Sequence, residues 1–140
     1  MIENLQEYFR PEIRIFLDDV NYKRIEDSTA KDNTQIALTC NDNVNVSLNQ
    51  DGVRILLTRH VTFDPINLFT LSVSFGADLT FNDRKSELNW IDYNLAEEFM
   101  ENGDFITSQL MSRISLIIGE ITSSFGQQPI LLPASLAKKD

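Results

Sequence analysis

The chain has 140 residues, 42% of them hydrophobic, with 21 acidic against 12 basic side chains and a net charge of −9. That length and apolar content describe one folded domain rather than a disordered chain, and the acidic balance speaks against nucleic acid and anionic lipid as partners. A single cysteine, Cys40, excludes an internal disulfide, and no apolar stretch approaches the roughly 20 residues that cross a bilayer.

Residues 1–10 are of mixed character and read as a short helix or a loose arm, stopped by Pro11. Glu3 and Glu7 stand where a secretion signal would be basic, so a cytoplasmic protein is expected. From Glu12 to Glu26 a strand is predicted in two halves. Ile13, Ile15 and Leu17 share one parity and Val20 and Tyr22 the other, so a bulge at Asp18-Asp19 is expected to swap the faces. Asp27 to Asn33 is polar and reads as a loop. Between Thr34 and Asn49 the apolar residues Ile36, Leu38, Cys40, Val44, Val46 and Leu48 all fall on even positions, broken only by Asp42. The segment is one long strand or two short ones around Asn41-Asp42-Asn43, and the unbroken parity favours one. Cys40 then faces inward as a small hydrophobe.

Gln50-Asp51-Gly52 is a hairpin signal, followed by a strand from Val53 to Phe63. Asp64 to Asn67 contains Pro65 and reads as a second turn. From Phe69 to Phe81 the alternation has no slip, and its seven inward apolar positions span about 40 Å at about 3.3 Å per residue. The result is an antiparallel meander with the Glu12–Glu26 strand added at one edge.

After Phe81 the period becomes helical. Asn82 to Trp90 is a polar crossover; Asn94, with Glu97 three residues on, opens a short helix that Gly103 ends. Asp104 is expected to cap a longer helix reaching about Phe125 and closed by Gly126. Its residues Ile106, Leu110, Ile114, Ile117, Ile118, Ile121 and Phe125 form a stripe wide enough to cover the sheet. Beyond Pro129 the apolar tail Ile130–Leu136 packs extended over a gap. The expected whole is one α+β domain over residues 1–140: arm 1–11, a four-stranded antiparallel sheet 12–81, crossover and helices 82–126, and tail 127–140.

Signals for catalysis are poor. His60, the one histidine, lies on the polar parity of its strand, and no nucleophile elbow, phosphate loop or metal-spaced cysteine pair is present. Asp18-Asp19 and Glu97-Glu98 are neighbours in sequence, which does not bring two carboxylates onto one site. Asp42-Asn43 with Asp51 lacks the acceptor spacing of a calcium loop. A binding protein without metal or cofactor is expected, not an enzyme.

The long helix carries a second stripe of small residues: Ser108, Ser112, Ser115, Gly119 and Thr122. Small side chains let another helix approach closely, so this stripe is expected to contact another subunit. The order of elements resembles the SecB export-chaperone family over about Glu12–Leu136. The closest parts are the strands Val53–Phe63 and Phe69–Phe81, and the run Ile114–Gly126 leading to Pro129-Ile130-Leu131-Leu132-Pro133. The resemblance implies a homotetramer or dimer with helices between outward-facing sheets, and an ATP-independent holdase for unfolded proteins, including preproteins for export. It further implies docking of the motor SecA on the acidic sheet surface, near Asp18 and Asp19, although Ser72 stands where the family has an acidic contact and the family's further C-terminal helix has no counterpart before Asp140. Holdases need exposed apolar surface, and Trp90, Tyr93, Phe99, Leu131 and Leu132, outside the sheet–helix core, are the expected client-binding residues. The competing expectations are a SecB-fold accessory or assembly protein without general chaperone activity, and a client-specific chaperone of a toxin–antitoxin system.

Overall fold

The structure, a computed structural model, describes residues 2–26, 36–65, 68–82, 88–125 and 130–136. The expected loop at Asp27–Asn33, most of the polar crossover, Gly126, Pro129 and the last four residues lie outside them. Four antiparallel strands, β1 (Phe9–Arg24), β2 (Ala37–Leu48), β3 (Gly52–Asp64) and β4 (Phe69–Phe81), pair in the order β1-β4-β3-β2. The meander and the added edge strand are therefore as the alternation predicts. β4 lies between β1 and β3, and its odd positions from Phe69 to Leu79 are all buried.

The register of β1 against β4 slips between Leu17 and Asp19, so Ile13, Ile15 and Leu17 face the same side as Val20 and Tyr22. One extra residue at the bulge converts two opposite parities into one apolar face. β1 begins earlier than the Glu12 expected and passes through Pro11, with a second register irregularity between Phe9 and Ile13. An edge strand can spare the N–H that proline lacks, so the ring does not end the strand. Nor is the N-terminal segment a loose arm: Ile2, Leu5 and Phe9 are buried, and the Ile2 amide donates to the buried Glu98 carboxylate at 3.0 Å. Residues Leu5–Tyr8 form a 3₁₀ turn that feeds β1.

β2 pairs with β3 without interruption from Ala37↔Asp64 to Leu48↔Val53, one strand rather than two. At their turn the Asn49 side-chain oxygen accepts from the amides of Asp51 and Gly52, at 3.0 and 2.7 Å. A Cβ at Gly52 would overlap the Leu79 carbonyl, a backbone atom that cannot step aside. Gly52→Ala is therefore expected to lower stability by about 1–3 kcal/mol, the usual range for overpacking. A urea midpoint equal to wild type would show that the hairpin can move away from β4.

The helices are α1 (Leu95–Asn102) and α2 (Asp104–Ser123). Asn94 caps α1, its side chain accepting from the Glu97 amide at 3.3 Å, and Gly103 ends it. Gly103 also occupies the N-cap of α2, so Asp104 is the first helical residue rather than the cap; its charge still suits the positive helix start. α2 lies on β4 and β3 while α1 reaches β2 and α2, covering one face of the sheet. Ile106, Leu110, Met111, Ile114 and Ile118 meet Val53, Ile55, Leu57, Leu71 and Val73 in the single core.

Candidate functional site

The inner face of β2 and β3 is apolar except at Asp42 and Arg59. The two are six residues before Leu48 and six after Val53, so the hairpin register places them directly opposite. Their side chains are each only 2% exposed and joined by two hydrogen bonds of 2.7 Å, from Nε and Nη2 to the two carboxylate oxygens. A buried ion pair is tolerated when its remaining donors are satisfied. Arg59 meets that condition through the tail: Nη1 donates to the Pro133 carbonyl at 2.7 Å, and Nη2 to the Ser135 carbonyl at 2.8 Å. Nη1 also reaches the Ser115 hydroxyl at 3.4 Å. Burial works against the charged guanidinium, but hydrogen bonding and attraction from Asp42 outweigh it and hold Arg59 above its ordinary range. Burial also raises the nearby Cys40 thiol, which argues against a reactive thiolate there.

The tail runs back along α2 on the β2 side. The Ile130 amide donates to the Thr122 hydroxyl at 2.8 Å, and the Ser115 hydroxyl donates to the Pro133 carbonyl at 3.3 Å. A Cβ on Gly119 would stand 3.5 Å from Leu131 and 3.7 Å from the Ile130 carbonyl. Three members of the small-residue stripe, Ser115, Gly119 and Thr122, thus admit the chain's own tail, where a neighbouring subunit was expected. Ser108 and Ser112 turn their hydroxyls to the carbonyls of Asp104 and Ser108, four residues back in the helix.

Two aromatic clusters close the ends of the core. Trp90 lies 5.2 Å from Phe81, 5.5 Å from Tyr8 and 5.6 Å from Phe9, ring to ring, and Phe99 lies 5.9 Å from Phe9. Phe99 is wholly buried and cannot touch a client in this fold; it is a core residue, a correction to its expected role. Trp90 and Tyr93 are half-buried against the core, as is Leu132, whereas Leu131 is 80% exposed. The expected client residues therefore do not form one surface. At the opposite end Tyr22, Phe69 and Phe125 have ring centres 5.2–5.6 Å apart.

Sequence reasoning missed one uncovered apolar strip among the described residues. α2 sits on β4 and β3, so the inner face of β1 beyond it holds Leu17, Val20 and Tyr22, 53%, 40% and 42% exposed, with Phe125 beside Tyr22. The apolar pattern of β1 was visible, but nothing local shows that the helical layer leaves its second half uncovered. The opposite face of the sheet is mostly polar. There Asp18 and Asp19 are exposed at the bulge, His60 is opposite Ser72, and Gly76 leaves room for the Phe16 ring to approach Leu56. Arg54 forks onto Asp78 at 2.7 and 3.0 Å and lies 5.0 Å from the Phe16 ring centre. The hydrogen bond from Arg54 holds the Asp78 carboxyl below its ordinary value. A depressed folded-state value stabilises the fold above the unfolded one, and that contribution disappears as pH falls through the depressed value.

Among the described residues no cluster of three or more metal-ligating side chains occurs, and no helix is long and apolar enough to cross a membrane. No protein-family model matches the chain, and no curated protein matches it. Among solved structures it is similar to the SecB-like chaperone Rv1957 of Mycobacterium tuberculosis, solved in complex with a ChAD peptide from the Rv1956 HigA1 antitoxin. The TM-score is 0.66 at 13% identity, over 88% of this chain and 86% of that one. The fold is SecB-like: a four-stranded antiparallel sheet with its C-terminal helices on one face.

Proposed function

We propose that this protein is an ATP-independent chaperone that holds unfolded protein segments on the apolar strip beside α2. The carrying observation is the uncovered inner face of β1, where Leu17, Val20 and Tyr22 continue the core surface past the edge of the helical layer. An unfolded segment laid there would bury apolar area that the fold leaves wet, without any chemistry or nucleotide. The similar structure is of a chaperone bound to a peptide from an antitoxin, which supports a client-specific role ahead of general preprotein export. A soluble protein working as a dimer or tetramer is part of the same reading, with Ser108 and Ser112 still available to a second copy.

Suppression of aggregation of a chemically unfolded client tests the reading directly. Replacing Leu17, Val20 and Tyr22 together by serine is expected to weaken client affinity at least about tenfold, equal to 1.4 kcal/mol. The fold should survive, because none of the three side chains belongs to the buried core and each is already about half exposed. Wild-type protein that leaves aggregation unchanged would sink the proposal and favour an accessory role.

Docking of a basic partner such as the SecA motor would use Asp18 and Asp19, exposed on the bulge of β1. Attraction between exposed charges is screened over about 10 Å at 0.1 M salt. Asp18→Asn with Asp19→Asn is expected to reduce such docking at low salt and to spare client binding. A pull-down that recovers no salt-sensitive motor complex would remove the export role.

A further inference from the structure

We propose that the channel between α2 and the inner face of β2 and β3, filled here by residues 130–136, is a second peptide site that the tail occupies in cis and a client segment takes by displacing it. The inference rests on the chaperone reading above and adds a site, its ligand chemistry and a competitor. What the channel recognises is visible from what sits in it. Ile130, Leu132 and Leu136 pack against the core while Leu131 points to water, so the segment turns apolar side chains inward and bends at Ala134-Ser135. Among the described residues four hydrogen bonds join the channel to that segment, and all end on its main-chain atoms: Arg59 on the carbonyls of Pro133 and Ser135, Ser115 on that of Pro133, Thr122 on the Ile130 amide.

Recognition through main chain plus inward apolar side chains is indifferent to much of the sequence, as a client site must be. Arg59 makes the site a built one. Asp42 holds its guanidinium in place with two bonds, and the donors turned toward the channel are satisfied by peptide carbonyls. When the tail leaves, those donors are free to take the carbonyls of another extended chain, and Lys could not reproduce their planar fork. The tail is suited to leaving. Its inward residues are only partly buried, and segments with little buried apolar surface open at a small fraction of the global unfolding free energy.

A fluorescent peptide copying residues 130–136, added in trans, separates this site from the strip on β1. In a full-length chain carrying Ile130→Ser and Leu132→Ser the tail holds less well, and peptide affinity is expected to rise at least about tenfold over wild type. Adding Arg59→Lys to that background should remove the gain while Asp42 keeps a counter-charge. Equal affinity for both chains, no binding to either, or a gain indifferent to Arg59→Lys overturns the proposal. Trp90 emission reports whether each variant is folded. Should the variants not fold, hydrogen exchange in the wild type decides: excess peptide is expected to speed exchange of the Ile130 amide, which donates to the Thr122 hydroxyl, about tenfold, and unchanged exchange overturns the proposal. Client aggregation is read separately, so loss of holdase activity with intact peptide competition faults the chaperone reading, and the converse faults the channel.

Discussion

Asp42→Ala is expected to cost about 3 kcal/mol or more of folding stability, the range for removing one partner of a buried ion pair. The guanidinium of Arg59 would keep two tail carbonyls but lose the carboxylate it is hydrogen-bonded to, in a setting where both side chains are 2% exposed. The lower part of the usual 3–5 kcal/mol range applies because those carbonyls still solvate the charge. The double variant Asp42→Leu/Arg59→Leu should recover part of the loss, since apolar side chains can replace a buried pair at little net cost. Urea denaturation of the three proteins checks both statements. A loss under about 1 kcal/mol for Asp42→Ala, typical of an exposed pair, would mean that water reaches the site.

Phe99→Ala is expected to be similarly severe, about 3–5 kcal/mol for truncating a buried aromatic. Phe99 is 0% exposed, and its ring contacts those of Phe9 and Phe105, joining α1, β1 and the start of α2. Because it is core rather than client surface, affinity for unfolded client per folded molecule should stay at the wild-type level. The informative comparison is with the triple serine variant at Leu17, Val20 and Tyr22, which should show the opposite profile. A Phe99→Ala protein of normal urea midpoint that no longer binds client would reverse the assignment.

Much of the fold is legible along the chain because period is a local property. The slip-free alternation of Phe69–Phe81 marks the central strand, and the swapped parity around Asp18-Asp19 marks a bulge that the β1–β4 register then shows. Asn94 and Gly103 delimit α1 as capping chemistry predicts. The buried pair was half legible. Asp42 interrupts the even parity of β2, and Arg59 stands at an inward position of β3. Counting equal steps from the Gln50–Gly52 turn sets one against the other. That count was the available signal, and reading each strand separately hid it.

Three features were not legible. The segment before Pro11 carries Ile2, Leu5 and Phe9 at spacings that suit a helix or a loose arm equally well, and only the pocket between α1 and β1 gives them a place. The small-residue stripe on α2 announces a close neighbour without saying whose, and for Ser115, Gly119 and Thr122 it is the chain's own tail. Trp90, Tyr93, Phe99, Leu131 and Leu132 look alike as apolar residues outside the main periodic segments, yet their burial runs from complete to nearly none.

The sequence by itself determined which residues alternate, where the faces swap, which helical stripe is apolar, and hence that one sheet lies under one helical layer. Those are consequences of side-chain geometry within a few residues, a period of 2 in strands and 3.6 in helices. Only the tertiary structure decided that the second half of β1 lies beyond α2, leaving Leu17, Val20 and Tyr22 about half exposed, and that Arg59 ties the tail into the space on the other side of the helix. A pattern states that a face must be covered; what covers it depends on contacts 56–76 residues apart in sequence, such as those of Arg59, and no local period carries that information.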